Sequence, residues 1–165
     1  MIEEALRKID NLIKEELNEY NSLSGLYDEK KQVLIKSKTD NLIDIDNKIK
    51  EKVLSIKNIE TKRKNIDNEL GLSNACMSDY IELANKNSLN IEKNLLSKKS
   101  ELIQMNFKIA NKEKINTELI KQGMAVVSKL INIIVNGAGI SGQYNNSGKN
   151  IQDDCIKISS FTEEV

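Results

Sequence analysis

The chain has 165 residues, of which 30% are charged and 4% aromatic, with 25 basic and 25 acidic residues and no His, Pro or Trp. The zero net charge excludes general binding to nucleic acid, because neutralising phosphates requires a basic excess. The absence of His removes the commonest general base and metal ligand. This length and composition are typical of one domain made of long helices.

The first predicted helix covers about residues 2–36. Apolar residues recur every three or four positions from Ile2 to Leu34, which is the spacing of one helical face. Gly25 interrupts this pattern at a cost of about 1 kcal/mol without ending the helix. The acidic, amphipathic start is not that of a signal peptide, so we expect a cytoplasmic protein.

The second predicted helix covers about residues 41–70. Thr39 or Asp40 is the expected N-cap, since a short polar side chain can accept a hydrogen bond from the first free amides. Apolar residues follow at nearly heptad spacing, and two positions of the apolar seam are charged, namely Lys52 and Arg63. The pattern therefore predicts a helix that packs lengthwise against its neighbours.

A third helix is predicted over about residues 79–136. Gly71 is the expected C-cap of the second helix, and Leu72 the residue that closes the cap with an apolar contact. Asp79 followed by Glu82 resembles the start of a new helix. The predicted fold is all-α, an antiparallel bundle or coiled coil of three long helices over residues 1–136.

The end of the third helix is unusually apolar. At about 55 residues, or about 80 Å, this helix is longer than the other two can cover, so it either bends, for instance at the polar run 85–90, or extends beyond them. Nine of the twelve residues from Met124 to Val135 are apolar. Helices one and two or a second copy could cover them, or they form a docking surface for another protein's helix. The run is too short for a membrane span.

The sequence from Gly137 to Gly142 matches the dinucleotide-binding pattern G-x-G-x-x-G. The context excludes a nucleotide site, because a helical pattern precedes it and too few residues remain for a strand–helix–strand unit. We interpret Gly137 as the C-cap of the third helix and residues 137–148 as a Gly-rich linker.

The C-terminal tail, residues 149–165, has apolar residues at roughly helical spacing. Alone, so short a helix is marginal in water, so the tail is predicted to be flexible and to order only on its own bundle or on a partner; plain disorder is the alternative. Cys76 and Cys155 lack metal-ligand spacing and are expected to be small packing residues in a reducing compartment.

No catalytic, metal or cofactor site is predicted. The carboxylates alternate with lysines along the helices, which is the pattern of a solvated face with ion pairs three and four residues apart. The two isolated thiols do not form a zinc site. An enzyme or nucleotide-binding protein is therefore disfavoured, and the expected cofactor set is empty.

Four stretches of the sequence, in this order, resemble the FlgN-like flagellar export chaperones. They are "LSGLYDEKKQVLIKSKTDNLIDI", "RKNIDNELGLSNACMSDYIELA", "NTELIKQGMAVVSKLINII", which carries an Asn-x-x-Leu-Ile motif, and "YNNSG", a Tyr-x-x-x-Gly element. The resemblance covers nearly the whole chain. The resemblance implies three long helices followed by a Gly-rich linker and a short tail, with no enzyme activity.

The resemblance also implies partners. The chain would bind the C-terminal segment of hook-associated proteins of the hook–filament junction, prevent their premature assembly and deliver them to the type III export gate. Late helix three and the tail would contact the client, through Leu119, Val127, Leu130, Ile131, Ile134, Ile151, Ile158 and Phe161. Tyr144 would dock to the cytoplasmic domain of the gate. The alternative is a structural or tethering coiled coil that self-associates.

Overall fold

The chain forms an all-α structure. A computed structural model describes residues 2–37, 39–72, 75–87 and 89–140, and no strand occurs within these ranges. They contain four helices and one short 3-10 turn: α1 (Ile2–Ile35), the turn Thr39–Asn41, α2 (Leu42–Glu69), α3 (Met77–Lys86) and α4 (Glu92–Ile140). The all-α class predicted from the sequence is confirmed. Internal contacts divide the chain into a first unit, residues 1–122, and a second unit, residues 123–165.

The predicted third helix is two helices. The prediction of one helix from 79 to 136 was wrong because α3 ends at Lys86 and α4 begins at Glu92. The polar run between them supplies the reason. The Asn87 side-chain amide donates to the Leu83 carbonyl at 2.8 Å and competes there with the helical bond from the Asn87 N–H, and the Leu89 N–H donates five residues back to Ala84, outside the α-helical pattern.

The last helix extends further than predicted. Because α4 continues to Ile140, Gly137 lies inside it, and the interpretation of Gly137 as its C-cap was wrong. A single Gly costs a helix only about 1 kcal/mol, which does not by itself end it. The rest of the predicted linker and the tail 149–165 lie outside the described residues. In the described part of the chain, no helix is long and apolar enough to cross a membrane.

The end of α2 is a Schellman motif, as the sequence predicted. Gly71 has φ of +70°, the Leu72 N–H donates to the Asp67 carbonyl at 2.9 Å, and the Gly71 N–H donates to the Asn68 carbonyl at 3.1 Å. Leu72 packs against the main apolar cluster. At its other end α2 differs from the prediction, because Asn41 precedes it and makes no side-chain cap.

The start of α3 is fixed by a capping interaction between Cys76 and Asp79. The Cys76 backbone N–H donates to Asp79 Oδ2 at 2.7 Å, and this hydrogen bond lowers the pKa of the Asp79 carboxyl. Asp79 is therefore the third residue of α3 and not its cap. Cys76 is exposed, which contradicts its predicted role as a packing residue; Cys155 lies outside the described residues.

The main apolar cluster joins α1, α3 and α4. Its fully buried members include Leu6, Ile9, Ile13, Tyr80 and Leu95. The hydroxyl of Tyr80 donates to the buried Asp67 of α2 at 2.7 Å, so the polar atom that Tyr80 brings into the cluster is satisfied. Burial, with the Asp67 carboxylate, raises the pKa of Tyr80, so the phenol stays protonated and remains a donor.

The contacts of α1 show that α2 runs antiparallel to it. Near the middle of α1, the buried Glu16 accepts from Arg63 of α2 at 2.6 Å, whereas near its end Lys30 pairs with Asp46 at 2.6 Å. Residues later in α1 therefore contact residues earlier in α2. Lys52, the other charged seam residue, pairs with Glu19 at 2.9 Å. The two charged seam positions are thus explained by carboxylates on α1.

The contacts of α1 with α4 run in parallel, at an offset of about 88 residues. Lys98 donates to Asp10 at 2.6 Å, Lys112 donates to the Ser24 hydroxyl at 2.7 Å, and Asn116 donates to the Tyr27 carbonyl at 2.9 Å. A smaller apolar cluster of Leu23, Ile56 and Ile109 joins α1, α2 and α4 between these polar contacts. Within the first unit, α1 therefore contacts both α2 and α4, and all three helices contribute a residue to this smaller cluster.

Gly71 and Gly25 provide a matched pair of stability tests. We expect Gly71→Ala to destabilise the fold by about 1 kcal/mol, since the left-handed φ is unfavourable for any residue with a Cβ. Gly25→Ala, in mid-helix with open space at its Cβ position, is expected to stabilise it by about 0.5–1 kcal/mol. Urea unfolding measures the free energy of unfolding of both variants. Equal effects of the two substitutions would contradict the left-handed cap at Gly71.

Glu16 predicts a specific pH dependence. Burial raises the pKa of Glu16 above its ordinary value of 4.5, while Arg63 opposes the shift. Because the folded protein holds this proton more tightly, the contribution of Glu16 to stability is full below pH 4.5 and is lost as the pH rises through the raised pKa. Glu16→Gln mimics the protonated acid at every pH.

The free energy of unfolding of the wild type, taken relative to Glu16→Gln, should therefore fall as the pH rises from about 4 to 7. Urea unfolding across this range is the measurement. The same substitution at the exposed Glu15 controls for the loss of one negative charge. A difference between wild type and Glu16→Gln that rises with pH would contradict the raised pKa.

Candidate functional site

The part of α4 that lies in the second unit carries a dense set of exposed apolar side chains. We call Met124–Val135 the apolar segment. Its large apolar side chains are 49–68% exposed, and they are Met124, Val126, Val127, Leu130, Ile131, Ile133, Ile134 and Val135. Scattered exposed apolar residues are ordinary, but eight within three turns of one helix form a contiguous patch, and such patches mark interaction surfaces.

The helical geometry places these side chains on one broad arc. At 100° per residue, the eight side chains cover roughly 200° of the helix circumference. Ser128, Lys129 and Asn132 occupy the narrower remaining side. The segment is therefore not apolar on all sides. It has a broad apolar face and a narrow polar one, which is the pattern by which one amphipathic helix packs on another.

The apolar segment provides contact area but few titratable or reactive groups. Lys129 is its one titratable residue, and no group of three or more acidic, Cys or His residues that could hold a metal occurs in the described part of the chain. Catalysis by acid–base or metal chemistry requires such groups close together. The arrangement can therefore bind an apolar surface, with binding driven by the burial of aliphatic side chains.

The residues predicted to bind a client differ in their surroundings. Leu119 lies in the first unit and is half-buried, whereas Val127, Leu130, Ile131 and Ile134 lie in the second unit and are each more than half exposed. Four further residues with predicted roles lie outside the part of the chain that the structure describes, namely Ile151, Ile158, Phe161 and Tyr144. The client-binding and gate-docking roles of all nine stay predictions.

The sequence reasoning did not single out a second exposed row on α4, within the first unit. Leu96, Ile103 and Phe107 are 54%, 61% and 70% exposed. Their spacings of seven and four residues place them on one face, away from the residues that fill the core. This periodicity was present in the sequence, but only the structure shows which of two apolar rows on the helix is buried.

The Asn of the Asn-x-x-Leu-Ile motif has a definite structural role. Asn116 is buried, and its side-chain amide donates to the backbone carbonyl of Tyr27 on α1 at 2.9 Å. Its other polar atom, Oδ1, has no hydrogen-bond partner among the described residues. A buried Asn in a helical seam costs stability and favours one register over its alternatives.

A comparison with protein-family models identifies the family of the chain. The model of the FlgN protein family matches residues 1–151, which includes all four helices. No curated protein and no solved structure shows a significant match to the chain. The match covers far more than half of the sequence, and the chain belongs to the FlgN protein family.

Proposed function

We propose that this protein is a cytoplasmic chaperone that binds the C-terminal segment of hook-associated flagellar proteins and delivers them to the type III export gate. The FlgN family is a family of flagellar export chaperones. The observation that carries the proposal is the apolar segment of α4, which exposes eight large apolar side chains. A protein that keeps an assembly-competent segment from polymerising needs such a surface to cover it.

The proposed contact is a helix-in-groove interaction. In this mode an amphipathic helix of the client buries its apolar face against Val127, Leu130, Ile131 and Ile134, with Leu119 and the tail residues Ile151, Ile158 and Phe161 as further contacts. Aliphatic burial gives affinity with modest sequence specificity, which suits a chaperone for related clients. No catalytic step is part of the proposal.

The proposed scaffold is an antiparallel bundle of α1, α2 and α4. Its support is the antiparallel Glu16–Arg63 and Lys30–Asp46 pairs of α1 with α2, together with the parallel contacts of α1 with α4. In this proposal the bundle supports the first part of α4, the remainder of the predicted linker (141–148) follows the helix, and residues 149–165 serve as the client-contacting tail.

Charge substitution within the apolar segment tests the client site. We expect Leu130→Glu combined with Ile134→Glu to raise the Kd for a client's C-terminal peptide at least about a hundredfold, because each lost aliphatic contact costs about 1.5–3 kcal/mol. The matched control is Ser128→Glu combined with Asn132→Glu. It adds the same charge to the polar side of the same turns and should change the Kd less than about fivefold.

Calorimetric titration measures the Kd, and circular dichroism shows whether each variant stays helical. Loss of helicity in Leu130→Glu/Ile134→Glu would mean that these residues support the fold, and the docking proposal would fail. Sedimentation tests the alternative, a self-associating structural coiled coil. A dimer that forms at micromolar concentration and is lost in the same variant would identify a second copy as the occupant.

The gate contact is tested separately at Tyr144. We expect Tyr144→Ala to abolish binding to the cytoplasmic domain of the export gate while leaving the Kd for the client peptide within about twofold, since the two proposed contacts use different residues. Tyr144→Phe is the control, because it keeps the ring and removes only the hydroxyl. Pull-down with the purified gate domain is the measurement, and unchanged binding by Tyr144→Ala would remove this residue from the proposal.

A further inference from the structure

The exposed row of Leu96, Ile103 and Phe107 on α4 forms a second candidate surface, here called the outer stripe. It lies wholly within the first unit, where the bundle side of the same helix buries Leu95, Leu102 and Ile109. The three outer side chains extend over about 16 Å of helix, and the exposed Ala110 continues the row. Large apolar side chains at heptad-like spacing form the kind of narrow seam against which one further helix packs.

The outer stripe has a positively charged border. Lys93 and Lys114 lie at its two ends, about 32 Å apart along α4 and on the same face, and both are exposed. Neither forms an ion pair with another residue in the described part of the chain, although ten other pairs are formed there. Lys99, beside the stripe, donates only to the neutral hydroxyl of Ser78.

The carboxylates of α4 do not neutralise this face. Glu101 and Glu113 lie roughly 90° or more from the stripe around the helix. Glu118, beyond its end, is 3.4 Å from Lys121 and already paired. Glu92 is half-buried at the first residue of α4, where it suits the positive end of the helix dipole. Among the residues of α4 itself, this face therefore carries more lysines than carboxylates.

This charge distribution disfavours a second copy as the occupant. Two outer stripes packed antiparallel would place Lys93 of each chain beside Lys114 of the other, and a parallel pairing would place each lysine beside its own equivalent. Like charges at the edges of a helical seam are unfavourable and determine which partners are rejected. The complementary occupant is a helix with an apolar row of its own and carboxylates at its borders.

We propose that the outer stripe is a docking surface for an acidic amphipathic helix of another protein, separate from the apolar segment proposed to bind the client. Apolar packing on Leu96, Ile103 and Phe107 would supply affinity, and ion pairs to Lys93 and Lys114 would select acidic partners and their register. The apolar segment is aliphatic with one lysine, so the two surfaces differ in the charge that they select. One chain would then hold two partners of different chemistry at once.

A designed peptide probes this surface in the full-length protein. The probe is a fluorescein-labelled helical peptide of about 22 residues, the length from Lys93 to Lys114, with Leu at heptad a and d positions and Glu at the flanking positions. The control peptide has Lys in place of each Glu. We expect fluorescence anisotropy to show a Kd at least roughly tenfold lower for the acidic peptide, and salt to weaken its binding.

Variants assign the binding to the outer stripe. Phe107→Glu should raise the Kd of the acidic peptide at least roughly tenfold, whereas Leu130→Glu/Ile134→Glu in the apolar segment should leave it unchanged. The double reversal Lys93→Glu/Lys114→Glu should make the protein prefer the basic peptide. All three positions of the outer-stripe variants are exposed, so circular dichroism should report unchanged helicity. Loss of helicity in Phe107→Glu would show that the residue supports the fold and would overturn the proposal.

Four other results would overturn the proposal. They are equal affinity for the two peptides, no effect of Phe107→Glu, loss of peptide binding in Leu130→Glu/Ile134→Glu, and an unchanged preference after the charge reversal. Two further assays test the other occupants. Phe107-dependent binding to vesicles containing phosphatidylserine would assign the stripe to a membrane surface, and a Phe107-dependent dimer in sedimentation would assign it to a second copy.

Discussion

The register of α1 against its two long neighbours is the constraint on which the rest of the structure depends. Burial of Leu and Ile is non-directional, so a heptad-like stripe packs almost equally well after a shift of one repeat. Polar contacts remove this ambiguity, because a buried or half-buried polar group left without its partner is costly. Glu16 with Arg63 sets the register towards α2, and Lys98, Lys112 and Asn116 set it towards α4.

These polar contacts cost some folding stability and favour a single packing register. Glu16 is buried beside Arg63, and burial, with the negative charge of Glu60, raises its pKa although Arg63 opposes the shift. Asn116 makes one buried hydrogen bond while its Oδ1 has no described partner. Replacing a buried ion pair by well-packed apolar residues is often neutral or stabilising, whereas a polar residue in a helical seam can fix one register. Asn116 of the Asn-x-x-Leu-Ile stretch thus has a structural role, its hydrogen bond to Tyr27, that is independent of any partner.

The described contacts of α1 with α4 lie within the first unit. Helix α4 carries apolar side chains of three kinds: those buried within the first unit, the outer stripe on the opposite face in the same unit, and the apolar segment in the second unit. Sequence periodicity detects all three, because each repeats at helical spacing. Burial alone separates residues that hold the fold together from those left available to partners.

The sequence by itself determined the helical class, the approximate extents of α1 and α2, the cap at Gly71 and the family, because these depend on local propensity, apolar periodicity and motif order. The break between α3 and α4, the continuation of α4 through Gly137 and the exposure of Cys76 were not predicted from it. Helix ends are decided by small differences among competing local hydrogen bonds. Only the tertiary structure decided that Glu16 meets Arg63 and Asp10 meets Lys98, and which apolar row of α4 is buried, since these pairs are 47 and 88 positions apart in the chain.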